Sequence, residues 1–342
     1  MRRWLALALL AACQRATPPP RAPSPAPVAT PAHHPPPHRD PDPDPDPDPE
    51  PAPPPPDGLH VAGSRDTLAI EETWKNGQLD GPRRIYRLKL LVLEEHYAGG
   101  GLDGDWTAYR TDGGPRAKGR YRMGKKDGTW TTWYSNGKIQ DAGDYADGRK
   151  NGWWIHYDRR GRELGRYEMI QGTGTERTWH RPGVVESETE LKDGLRHGAY
   201  RRFSSNGKLI AEGTYVDGHR NGPWIERFSS GKLRIEASYR GDVLDGAYRH
   251  HAKNGTVTLE VRYDRGRREG RLIGRFASGK TEREANYADG RLEGEALEYY
   301  EDGTLAERSH WKAGKLDGTL EVFSPRGKLE SRTVYKDGQL VR

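Results

Sequence analysis

The sequence predicts an all-β fold: an elongated, twisted antiparallel single sheet of stacked β-hairpin repeats, preceded by a disordered proline-rich tether. Three observations predict it. A glycine recurs at 81, 104, 128, 152, 174, 198, 222, 246, 270, 294 and 318, mostly at 24-residue intervals. An aromatic column keeps the same period: Trp74, Tyr97, Tyr121, Tyr145, Tyr167, Tyr215, Tyr239, Tyr263, Tyr287, Trp311 and Tyr335, with Leu191 breaking it once. Turn dipeptides fall between short runs rich in aromatic and β-branched residues, and no segment carries a sustained helical apolar period. Such self-similarity marks a repeat architecture, in which each unit buries its apolar face only against its neighbours.

In chain order, residues 1–12 read as an export signal. Arg2 and Arg3 form a positive start, and Trp4 to Leu10 an apolar stretch too short to span a bilayer. Leu10-Ala11-Ala12-Cys13 follows, and Cys13 is the sole cysteine. The pattern resembles the bacterial lipoprotein signal, which implies that Cys13 is the lipid-attachment residue of a membrane-anchored cell-envelope protein. Gln14, a residue other than aspartate after the cysteine, implies sorting to the outer membrane by the same resemblance. One acyl chain anchors only marginally, and the modification of that family supplies three. With one cysteine no structural disulfide can form.

Residues 13–57 form a linker. From Thr17 proline dominates, and acids alternate with proline from Asp40 to Glu50. Proline fixes φ and lacks an N–H, so the expectation is extended polyproline II reaching on the order of 100 Å. His33, His34 and His38, or the aspartates, could suggest metal capture. Each proline-separated acid points outward on its own, so a spacer is the better reading.

Residues 58–342 form the repeat domain, about 11 repeats of 24 residues. The unit from Gly198 shows the design. Two strands flank Asn206-Gly207, a hairpin signal, because such turns need positive φ. Asp217-Gly218 then turns the chain toward the next marker glycine. Leu209, Ala211, Gly213 and Tyr215 alternate onto one face, and the small residue two places before the tyrosine leaves room for a neighbouring ring. In the first strand, Trp106, Trp130, Trp154, Tyr200, Trp224 and Tyr248 stand two residues after the marker glycine. Tyr109, Trp133, Tyr157, Trp179 and Phe203 stand five after it. An offset of three puts the two columns on opposite faces unless a bulge intervenes. The repeat near Gly174 is two residues short, and the units at Gly270 and Gly294 lack the first tryptophan.

Trp130-Thr-Thr-Trp133-Tyr134-Ser-Asn136-Gly137-Lys138, followed by Gly143-Asp-Tyr145-Ala-Asp147-Gly148, resembles the MORN repeat in its bacterial variant. That variant also builds the proteins called YwqK-like antitoxins. The resemblance spans residues 65 to 342 and implies hairpins stacked into one sheet with no separate catalytic centre.

Composition narrows the function classes. The net charge is +6, and with five arginines and seven acids before residue 58, the repeats hold 51 basic and 43 acidic residues, interspersed. Nucleic-acid binding shows a clustered basic stripe instead, so no nucleic acid is expected. Gly274-Arg-Phe-Ala-Ser-Gly279-Lys280-Thr281 fits the phosphate-loop expression, but it coincides with the hairpin turn of its repeat. Gly99, Gly101 and Gly104 spell a dinucleotide fingerprint with no βαβ unit around it. His250-His251 reads as sheet-face histidine. The expectation is therefore a non-enzymatic protein with no catalytic residue, cofactor or metal.

A repeat argues for a surface. The candidate binding surface is Tyr109, Trp133, Tyr157, Trp179 and Phe203, since aromatic rings supply contact area at low entropic cost. The expected role is an interaction scaffold that binds a protein. The alternatives are an antitoxin or immunity protein of the YwqK-like class, and a binder of cell-wall carbohydrate or anionic lipid. The open sheet ends, near Thr333-Val334-Tyr335 for example, also allow edge-to-edge self-association.

Overall fold

The computed structural model describes residues 54–341. The export signal 1–12, Cys13 and residues 13–53 of the linker lie outside the described residues. Among the described residues every regular element is a β-strand, from Gly58–Ser64 to Gln339–Leu340, and the 27 strands form one sheet. Each strand pairs antiparallel with its sequence neighbours. Where Asp103 or Glu293 interrupts a strand, the strand resumes one residue later and its pairing with the preceding strand resumes at Thr107 or Leu297.

One register generates the sheet. In the hairpin of Leu195–Phe203 and Leu209–Val216, Gly198 pairs with Tyr215 and Tyr200 with Gly213. Gly128 with Tyr145, Gly222 with Tyr239 and Gly318 with Tyr335 repeat it. The glycine and aromatic columns therefore face each other across every hairpin except those of Gly152 and Gly174, where the partners are Met169 and Leu191. The structure also adds a unit before Gly81. Gly58 pairs with Trp74, and its φ of 118° matches the 111° of Gly81. Poor aromatic content in Gly58–Ser64 hides this unit from sequence pattern alone.

The two turns of a unit are built differently. Asp217 and Gly218 both take positive φ, 49° and 90°, as do Asp147-Gly148, Asp193-Gly194, Asp289-Gly290 and Asp337-Gly338. This is the two-residue turn whose twist matches the strands. At the other end only the glycine is left-handed: Gly207 has φ 82°, and Asn206 is not among the positive-φ residues. The Ser204 N–H donates to the Lys208 carbonyl and the Gly207 N–H to the Ser204 carbonyl, both at 2.8 Å. A three-residue loop ending in left-handed glycine results, so the expected Asn-Gly turn is one residue longer than the dipeptide suggests.

The short repeat loses its two residues at the Asp-Gly-type turn. Gly152 pairs with Met169, and Trp154 with Tyr167. Met169 thus holds the column register, and Tyr167, placed in that column by its spacing, sits two pairs further along. From Met169 only five residues lead to Gly174, where seven lead from Tyr215 to Gly222. Pairing between Glu163–Ile170 and Thr173–Arg181 shrinks to Met169 with Gly174 and Ile170 with Thr173.

The core lies on one face of the sheet. Trp130, Trp154, Tyr167 and Met169 form one buried cluster, and Tyr215, Trp224 and Ala237 another. Ring centroids run 5.3 Å from Trp106 to Trp130, 6.0 Å to Tyr145 and 5.1 Å on to Trp154, mostly edge to face. The small residues make this possible. A Cβ added to Gly119, Gly143 or Gly213 would lie inside the indole of Trp130, Trp154 or Trp224. Cations cover the ladder from the turn end: Lys126 Nζ lies 4.1 Å from the Trp130 ring, and the Arg220 guanidinium 4.0 Å from Tyr239.

Candidate interaction surface

The five-residue column decides which face is free. Every hairpin from Gly81 onward carries a bulge just before it, as between Arg202 and Phe203 or between Thr132 and Trp133. The extra residue belongs to the partner strand: Arg202 pairs with Ala211 and Phe203 with Leu209, which leaves Ile210 unmatched. The bulge therefore does not turn the ring over, and the column remains on the face opposite the tryptophan ladder. The contacts agree. The Tyr109 hydroxyl donates to Glu94 Oε2 at 3.3 Å, and the Trp106 indole N–H donates to Glu95 Oε1 at 3.2 Å. Glu94 and Glu95 are adjacent in one strand, so they belong to opposite faces.

Tyr109, Trp133, Tyr157 and Phe203 are all half-buried. Burial raises the Tyr109 phenol above its ordinary range, and Glu94 pushes it the same way. Trp179 departs from the expectation. Its centroid lies 6.3 Å from Tyr167 and 5.3 Å from His156, and it covers Gly165. Two register shifts flank it instead of one. Its own repeat offers Glu176 where a tryptophan would stand, so the ring fills that space and joins the core. It is not part of the second face.

At Arg227, His251 and Arg275 the column changes chemistry, before Tyr299 and Phe323 restore the rings. Arg227 binds Glu212 at 2.7 Å, and His251 binds Glu236 at 2.8 Å. The second face also carries pairs such as Arg84 with Glu94 at 2.8 Å, Arg177 with Glu188 at 2.9 Å and Arg249 with Glu260 at 2.9 Å. Aromatic rings therefore occupy this face as far as Phe203 and again at Tyr299 and Phe323, set in a lattice of ion pairs. Most of these pairs are solvent-accessible, so their contribution to stability is small and their effect on specificity larger.

One place on the face is concave. A cavity of about 360 Å³ is lined by Arg181, Val184, Val185, Glu188, Phe203 and Asn206. It opens because the Gly174 unit ends in Pro182-Gly183 rather than the usual loop. The Gly183 N–H donates to the Leu164 carbonyl at 2.9 Å, which draws the tip toward the preceding repeat. Phe203 is left as one wall. Sequence reasoning found Phe203 by its column but had no signal for Val184 and Val185, which act only through the displaced tip.

The chemistry-like motifs resolve into repeat structure. Phe276 and Lys280 close a hairpin loop, and strand Thr281–Ala288 follows where a phosphate loop would need a helix. Gly104 opens a strand, Gly104–Tyr109. His250 bonds Thr258 and His251 bonds Glu236 on opposite faces. Asp141 receives Thr132 and His156; burial alone would raise its carboxyl, but these partners hold it below its ordinary range. Among the described residues no three His, Cys, Asp or Glu side chains converge as metal ligands.

Comparison with known proteins adds one finding. The MORN repeat variant matches residues 126–147, 196–217, 292–313 and 316–337. Each match runs from two residues before a marker glycine to the first residue of the following tight turn, so the family match and the structural unit share one register. No curated protein matches the chain. A sheet built from such repeats fits an interaction scaffold.

Proposed function

We propose that the protein is an exported, lipid-anchored scaffold that binds a protein partner on the face bearing Tyr109, Trp133, Tyr157 and Phe203. The observation that carries this reading is Phe203. It is a half-buried ring at the edge of an apolar notch, on the face that the core ladder does not use. Interface hot spots have this form: an aromatic anchor in a partly desolvated pocket, with charged pairs around it. Among the described residues Arg181 makes no ion pair at the notch, and Arg177 and Arg201 share Glu188, so the surroundings favour an acidic partner. The envelope location rests on the signal pattern ending at Cys13.

Photo-crosslinkers at positions 157 and 203, compared with one at 224 on the core face, test the surface in cells. The expected result is one protein captured from 157 and 203 but not from 224. Phe203→Ala should then weaken that purified partner by at least tenfold, on the order of 1.4 kcal/mol or more. Equal capture from both faces, or none, overturns the reading. Cys13→Ala should move the protein from the membrane to the soluble envelope fraction, and unchanged membrane retention would refute the anchor.

A further inference from the structure

The two residues missing before Gly174 have a consequence on the core face. In regular units the residue two before the marker glycine is leucine, lysine or arginine: Leu102, Lys126, Lys150, Arg196, Arg220, Leu244 and Arg268. Its side chain lies over the aromatic ladder, as Lys150 does over Trp154 at 4.4 Å and Arg268 over Tyr287 at 5.2 Å. The short unit passes from the Gly172 turn directly to Thr173 and Gly174, so this cover is absent. Two residues after Gly174 the ladder ring is also absent, replaced by Glu176. The result is a cavity of about 480 Å³, within the range of small-molecule sites.

Its walls combine apolar and charged groups. Tyr145, Met169, Leu191 and Leu195 supply the apolar surface, and Lys150, Glu176 and Arg196 stand around it. Lys150 is already engaged, since its Nζ donates to Glu176 Oε1 at 2.6 Å and to the Tyr167 hydroxyl at 2.7 Å. Tyr167 also donates to Glu176 Oε1, at 3.2 Å. The other carboxylate oxygen, Oε2, accepts no hydrogen bond from the described residues. Arg196 makes no ion pair among them, its guanidinium resting 5.4 Å from the Tyr215 ring. At the mouth Arg149 bonds Asp193 at 2.8 Å, two repeats apart, and both side chains are about half exposed. Such a pair costs little to open.

We infer that this cavity is a binding site for a small zwitterion with an apolar body, of the size of a dipeptide with free termini. Glu176 Oε2 receives the ammonium group, Arg196 receives the carboxylate, and the Met169, Leu191 and Leu195 surface takes the aliphatic side chains. The opposed charges give orientation and the apolar floor gives most of the affinity. The site is independent of the second face, so it can stand or fall without the scaffold reading.

The test is calorimetric titration of the full chain with leucyl-leucine, alongside its N-acetylated and C-amidated forms. Leucyl-leucine is expected to bind saturably in the micromolar to millimolar range. Blocking either terminus should weaken it about tenfold, the loss of one charge-assisted bond. Arg196→Met should weaken leucyl-leucine about tenfold and leave the amidated form unchanged. Arg220→Met, one repeat further on and outside the cavity, should change neither. Circular dichroism confirms that each variant is folded. Absence of saturable binding at millimolar dipeptide, or equal affinity in the Arg196→Met protein, overturns the site.

Discussion

At the scale of single residues, the absence of a side chain matters as much as its presence. Gly213 has no Cβ because the Trp224 indole lies where one would be. Gly213→Ala must push the ring aside and should destabilise the fold by about 1–3 kcal/mol, read as a lower urea midpoint. The same substitution at Gly207, whose Cβ would meet nothing within 4 Å, carries only the strain of its positive φ. Glu298 offers a second residue-scale test. It pairs directly across the ladder with Glu307. Burial and that neighbouring acid, with Glu282 adding to them against Arg283, push its carboxyl up to about 7. Glu307 is raised as well, by burial. A folded-state value above the unfolded one means that the protonated form is favoured by folding. The associated stability is present below about pH 4.5 and is lost as the pH climbs to about 7. Thermal melts should therefore show a decline over that window. Glu298→Gln should remove it and stabilise the protein at pH 8 by on the order of 1–2 kcal/mol, allowing for partial solvent screening. A Glu298→Gln melt with the same pH slope would refute the assignment.

At the scale of the hairpin, each unit is held to the next at both turns. The Gly218 N–H donates to the Arg196 carbonyl at 2.8 Å, and Gly266, Gly290, Gly314 and Gly338 make the equivalent bond. The acid before several marker glycines reaches the next turn, as Asp317 does toward the Asp337 N–H at 3.3 Å and the Lys336 ammonium at 3.0 Å. This explains a residue that the repeat keeps without burying. Gly218→Val forces a β-branched residue to φ near 90° and should lower stability by about 1–2 kcal/mol, measured by denaturant titration. The hairpin scale is also where sequence reading lost detail. Alternation placed Tyr109, Trp133, Tyr157 and Phe203 opposite the ladder, because a strand has period two and the recurring bulge spends its extra residue on the partner strand. Alternation failed for Trp179, because a vacancy left by Glu176 in the same unit outweighed the local period. It also misaligned Tyr167, since the 22-residue spacing shows that two residues are missing but not which part of the unit lost them.

At the scale of the whole sheet, contacts are nearly all between consecutive strands. Stability should then be close to a sum of unit and interface terms. Deleting the last unit, residues 318–342, should lower the denaturation midpoint modestly and leave the β signal per residue of the remaining strands unchanged by circular dichroism. Global unfolding on that deletion would contradict a nearest-neighbour architecture.

The chain's spacing by itself determined the all-β class, the hairpin unit, the glycine and aromatic columns and the small residues beneath the rings. Those features repeat and act locally, so periodicity exposes them. The tertiary structure alone decided the extra unit at Gly58, the side taken by Trp179, the notch beside Phe203 and the cavity over Met169. Each of these arises where one unit differs from its neighbours, and the result of a difference depends on which side chains move into the space, something that only packing in three dimensions resolves.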